Sequence, residues 1–234
     1  DTNIYLTGSN PFTLSTEKLK GYISVLRKHL PHFSQLSMQS RIDDISKKSS
    51  NELTELRKLG LSHLYIGTEN GNDDVLKLMN KGYTASEAIE QLGRLDAAGI
   101  TYTTFYIIGM GGRGAGKASG EAPARMFNQV HPTCITTTGM TVFPNTPLAD
   151  MAARGEFDEA SEREKIEELQ TFLKALSIDT FYDGIHYLNP LNYRFSNTDT
   201  EAKRAVLEDM EEVLRSCSDE ELELMVSRHF KQSL

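Results

Sequence analysis

Short apolar runs alternate with helix-forming segments through residues 1–150, and this alternation narrows the possible folds more than any other feature. The apolar runs cover 3–8, 34–39, 63–67, 100–108 and 133–142. Between the first two lies a helical segment from Ser15 to Leu30, closed by Pro31. Capping boxes open the next two helices. In one, Ser49 stands three residues before Glu52, Leu53 and Leu56 share a face, and Gly60 terminates. In the other, Thr84 precedes Glu87, then Ala88, Leu92 and Leu95 line one side up to Gly99. A shorter helix is expected to end near His131. Five β-then-α units in succession predict parallel strands joined by right-handed crossovers, as in a β/α barrel or a doubly wound sheet.

In both of those folds the C-terminal ends of the strands form the active face. The unusual residues of this sequence fall there: Gly8-Ser9-Asn10-Pro11, Arg41, Glu69-Asn70-Gly71, a glycine-rich loop over 109–120, and Pro144-Asn145-Thr146-Pro147. Arg41 either grips a carboxylate or pairs with Asp43 or Asp44. Glu69 reads either as an acceptor on the active face or as a loop acid near the next helix start. Beyond Pro147 the character changes. Helices are expected from Leu148, from Ser161-x-x-Glu164, from about Thr200 and from Ser218-x-x-Glu221, with an irregular aromatic stretch from Phe181 to Phe195. The many glutamates of these helices read as a solvated face. The chain thus divides into a β/α part, 1–150, and a helical C-terminal extension, 151–234.

A net charge of −8 argues against a nonspecific nucleic-acid binder, which needs a cationic footprint. The two cysteines, Cys134 and Cys217, form no C-x-x-C pair and suggest a reduced, cytoplasmic protein. No apolar run approaches the roughly 20 residues of a membrane span, and no signal peptide or membrane association is expected. The sequence opens Asp1-Thr2-Asn3 straight into an apolar run without an initiator methionine, so it is expected to begin partway into a longer product.

Two phosphate-binding patterns overlap in the glycine loop. Gly109-x-Gly111-x-x-Gly114 matches a dinucleotide fingerprint, but the following strand does not end in an acid. Gly111 to Lys117 nearly makes a P-loop, with Ala118 at the position of the magnesium-binding hydroxyl. The preferred reading is a flexible linker beside an open active face. His29, His32, His63, His131, His186 and His229 show no metal spacing, and His186 alone stands in a segment placed to cover a barrel mouth.

Taken together, these segments resemble the radical SAM (S-adenosylmethionine) superfamily. Gly8-Ser9-Asn10-Pro11 is similar to the second-strand Gly-Gly-Glu-Pro motif, which receives the cofactor's amino group; asparagine replaces the usual glutamate, which implies a backbone role. Ser37-Met38-Gln39-Ser40-Arg41 resembles the third-strand end, where polar side chains approach the cofactor. Gly67-Thr68-Glu69-Asn70-Gly71 through Met79-Asn80-Lys81-Gly82 is the most specific match, and it places Glu69 and Lys81 near the ribose and the methionine carboxylate. Tyr106-Ile107-Ile108-Gly109 resembles the fifth-strand element that packs on adenine, although Gly112 stands where a glutamate is common. Phe143-Pro144-Asn145-Thr146-Pro147-Leu148 resembles the sixth-strand turn.

The resemblance implies an α/β fold: a partial, open, TIM-like β/α barrel retaining strands two to six, with the helical extension. Its cofactors would be S-adenosylmethionine and a 4Fe–4S cluster, and its parent protein would cleave the former reductively to start radical chemistry on an unknown substrate. The family's C-x-x-x-C-x-x-C triplet, whose thiolates hold the cluster, is absent from this sequence and is expected upstream. This chain alone is then expected to be inactive and to self-associate through an exposed truncated edge. Two alternatives remain: a nucleotide-binding or NTP-hydrolysing module using Gly111 to Lys117, and a degenerate barrel that only binds a partner.

Overall fold

A computed structural model describes residues 2–226; His229 lies outside them. Six strands lie side by side in chain order and parallel: β1 (Thr2–Leu6), β2 (Phe33–Arg41), β3 (Leu61–Glu69), β4 (Thr101–Ile108), β5 (Cys134–Gly139) and β6 (Phe181–Asp183). A seventh, β7 (Arg194–Ser196), runs antiparallel to β6. The strand order never reverses. A doubly wound sheet needs a reversal, so every crossover here carries its helix to the same face and leaves the other face concave. β1 and β7 do not pair, and the barrel stays open.

The helical layer contains α1 (Thr16–His29), α2 (Ile42–Ser46), α3 (Ser50–Leu59), α4 (Asp73–Leu78), α5 (Ala85–Ala98), α6 (Gly116–Phe127), α7 (Pro147–Ala153) and α8 (Glu162–Ala175). Both capping boxes expected for α3 and α5 are formed, and Gly60 and Gly99 end those helices. Alternation along the strands sorts the two sheet faces. Leu36, Met38, Leu64, Ile66, Tyr102, Tyr106 and Ile108 are fully buried beneath the helices, and each such side chain contributes about 1.5–3 kcal/mol. Gln39, Tyr65, Phe105, Ile107, Thr136 and Thr138 face the concave side and are half-buried.

The aromatic stretch expected to be irregular supplies β6 and β7. Tyr182, fully buried, shares a hydrogen bond with the Thr137 hydroxyl at 2.8 Å. Three-residue strands are too short to show a period, which is why the pattern missed them. The sheet therefore continues past residue 150, and α9 (Thr200–Ser216) and α10 (Asp219–Leu224) follow it. Among the described residues no helix is long and apolar enough to cross a membrane.

Candidate functional site

The site begins where β1 ends. Gly8 and Ser9 are both in positive φ, at 109° and 67°, and the Asn10 N–H returns to Gly8 O at 3.1 Å. This tight corner turns the Asn10 side chain toward α2, where its amide donates to the Asp44 carboxylate. Burial alone would raise Asp44. Hydrogen bonds from Asn10, Lys47 and Thr13 outweigh it and hold the carboxyl below its ordinary value. The other amide atom, Asn10 Oδ1, is buried without a partner.

At the end of β2, Gln39 is half-buried on the concave face. Arg41 is exposed; its Nε donates to Asp43 Oδ1 at 2.8 Å and its Nη2 to the Lys81 carbonyl at 3.3 Å. At the end of β3, Glu69 adopts φ 59° beside a register shift against β4. Its carboxylate folds back over Gly67, where any Cβ would collide with it. Lys81 Nζ donates to Glu69 Oε2 at 3.0 Å, with both side chains mostly covered. Arg41 from the end of β2 thus meets Glu69, at the end of β3, and Lys81, which follows α4.

β4 presents Ile107 to the concave face and is followed by Gly109, in positive φ at 80°. The Gly109 N–H donates to Glu168 Oε2 at 3.1 Å, and the Tyr106 O–H to Glu168 Oε1 at 2.5 Å. Glu168 comes from α8 and is 1% exposed. Burial pushes it up to about 7, against the opposing hydrogen bonds from Tyr106 and Gly109 and the charge of Lys165. The sequence reading missed this residue by treating the α8 acids as solvated. Glu162 and Lys165 are buried with it, and Lys165 Nζ donates to Glu159 at 2.9 Å and Glu162 at 3.0 Å. A signal was available: these charges fall in phase with Ile166, Leu169 and Phe172 on the face that packs inward.

Beyond β5, Thr146 caps α7 by accepting the Ala149 N–H at 3.2 Å. His186 sits over the end of β5, within 2.9 Å of the Thr138 hydroxyl, and stacks on Tyr187. Its Nδ1 also accepts the Leu188 N–H at 3.2 Å.

The glycine loop does not support the nucleotide reading. A phosphate cradle needs free amides and an electropositive surface. Instead the Arg113 N–H donates to Asp158 O at 2.8 Å and the Gly114 N–H to the Glu164 carboxylate at 2.5 Å. Lys117 is exposed and turned toward Glu167. The loop is tied to acids of the α8 start, not left as a flexible linker. A 4Fe–4S cluster does not fit the residues present either. Cys134 and Cys217 are the only two cysteines, and among the described residues no three His, Cys, Asp or Glu are grouped to hold a metal. S-adenosylmethionine does fit, because the buried acceptor Asn10 Oδ1 lacks a donor such as its ammonium group.

Residues 2–116 match the family model of the radical SAM superfamily. A tRNA uridine(34) acetyltransferase of Methanocaldococcus infernus is 27% identical over 138 residues, which are 56% of this chain and 24% of that protein. The chain thus spans about a quarter of the length of this relative. Among solved structures, archaeal Elp3 of Methanocaldococcus infernus with residues 1–46 deleted superposes with a TM-score of 0.61 at 18% identity, covering 90% of this chain and 54% of that one. Coproporphyrinogen III oxidase (HemN) of Escherichia coli, a radical SAM enzyme, superposes with a TM-score of 0.59 at 17% identity, covering 74% and 39%. These likenesses agree with the open β/α barrel.

Proposed function

We infer, for a chain whose residues 2–116 belong to the radical SAM superfamily, that it is the S-adenosylmethionine-holding core of a radical SAM enzyme. The observation that carries this reading is the polar corner at the ends of β1 to β3, where Asn10 Oδ1 lacks a donor while Arg41, Glu69 and Lys81 converge. The side chain of Asn10, rather than its backbone alone, would receive the ammonium group. Asp44 steadies the amide and adds the negative charge that an asparagine lacks. Lys81 and Arg41 would hold the carboxylate, Glu69 the ribose hydroxyls, and Gly8, Ser9 and Gln39 the edges of the same corner. Ile107 and Gly109 would pack on adenine. When bound beside a 4Fe–4S cluster, S-adenosylmethionine supplies one-electron chemistry; the protein's part is to bind, orient and exclude water.

The thiolate ligands of that cluster have no counterpart among these 234 residues and would come from elsewhere in the protein. The division at residue 150 is on this reading one of role: 1–150 hold the cofactor, and 151–234, with His186 and the aromatic segment, lie toward the substrate. Two unpaired thiols support a cytoplasmic location. The relative is named for a tRNA uridine, but a net charge of −8 supports no nonspecific nucleic-acid affinity, and no substrate is assigned.

The test uses the full-length protein, loaded anaerobically with iron and sulfide and given S-adenosylmethionine and a strong reductant. 5′-Deoxyadenosine should form, and Glu69→Gln and Asn10→Ala should each slow its formation by about tenfold or more, the loss of one buried hydrogen bond to a charged group. A fully loaded protein that makes none would remove the enzymatic reading.

A further inference from the structure

We propose that Glu168 is a positioning residue for the adenosyl end of the cofactor: reaching from α8 behind the sheet, its carboxylate fixes the left-handed turn at Gly109 where β4 ends. The inference rests on the radical SAM reading for the identity of the ligand, and on geometry for the role.

Glu168 binds two points of one strand end. Oε1 accepts the Tyr106 O–H at 2.5 Å and Oε2 accepts the Gly109 N–H at 3.1 Å. Between those points lies Ile107, whose side chain points to the opposite, concave face, so the clamp sets how far Ile107 projects. Gly109 is itself buried, and without Glu168 its amide would lack this partner. The stem of Lys165, three residues earlier on α8, covers Gly109 so closely that a Cβ there would lie 2.8 Å from its Cγ. Helix and turn are therefore locked together. Position 112, where the resemblance leads one to expect a carboxylate, is glycine, and the acid at this turn comes from α8 instead.

A leucine could fill the space under Tyr106, but it would leave the Tyr106 O–H and the buried Gly109 N–H without this acceptor. Holding the Gly109 amide in a set direction requires an acceptor.

The experiment measures binding of 5′-deoxyadenosine and, separately, of methionine to full-length, cluster-loaded protein by calorimetry. Glu168→Leu should weaken 5′-deoxyadenosine about tenfold and leave methionine unchanged, because the methionine corner is built from β1 to β3. Glu168→Gln retains an oxygen for Gly109 and should restore affinity to within about threefold of wild type. If Glu168→Leu does not fold, Glu168→Asp takes its place: the shorter side chain keeps the carboxyl group but cannot span Tyr106 and Gly109 together, and it should lose the same affinity. A folded Leu or Asp variant that binds 5′-deoxyadenosine as tightly as wild type overturns the proposal, as does equal weakening of both ligands. If wild type binds neither ligand, the radical SAM reading falls and this inference with it.

Discussion

Glu168 also makes the stability of this chain depend on pH. A carboxyl raised from 4.5 to about 7 keeps a proton in the folded state that the unfolded state has already released. Stability from this group is therefore fully present below the unfolded value and is lost as pH rises through about 7. The span corresponds to a loss on the order of 3 kcal/mol. Glu168→Gln keeps the shape and removes the titration, so its denaturant midpoint should exceed that of wild type above neutrality and converge with it in acid. Equal midpoints across that range would show that Lys165 and the two hydrogen bonds already offset the burial. At this scale the sequence is uneven as a guide. Glu69 and Lys81 were legible because both lie in one motif, and their ion pair closes a short loop. The contact of Glu168 with Gly109 spans 59 residues, and only the crossover that lays α8 behind β4 creates it.

Helix starts were the most readable elements. Ser49, Thr84, Ser161 and Ser218 each stand three residues before a glutamate, and all four capping boxes are formed. What the motif does not reveal is a second use of the same acid. Glu164 accepts the Ser161 N–H at 2.9 Å in the cap of α8 and the Gly114 N–H at 2.5 Å in the glycine loop. Burial would raise Glu164, but these backbone bonds and the Ser161 hydroxyl hold it below its ordinary value. Glu164→Ala should lose cap and tether together, destabilising the chain by about 1–2 kcal/mol. Limited proteolysis should then cut within 109–116 before anywhere else. If the variant loses stability without new cleavage there, the loop is held by Arg113 and Asp158 alone. β6 and β7 lie at the other extreme, since nothing in their three residues each distinguishes strand from loop until β5 offers them an edge.

At the scale of the molecule, the described residues put β1 at one end of the strand order, with α1 directly after it. Lys20 of α1 reaches Glu55 of α3 at 2.7 Å, which fixes the flank of α1 that faces into the layer. Tyr22 and Val25 lie on the opposite flank by helical spacing and are each 57% exposed. Among the described residues β1 pairs with β2 alone, and α1, which follows it in the chain, carries these exposed apolar side chains. An unpaired strand edge beside apolar side chains favours a second copy related by a two-fold axis, with β1 against β1 and α1 against α1. The 234-residue chain alone should sediment as a concentration-dependent dimer. Tyr22→Lys with Val25→Glu should weaken that association at least about tenfold, and neither position touches the convergence of Arg41, Glu69 and Lys81. A chain that stays monomeric at high concentration would mean that the edge is protected by its own twist and shortness. An unchanged dimer in the double variant would place the interface elsewhere and leave the flank of α1 as ordinary surface.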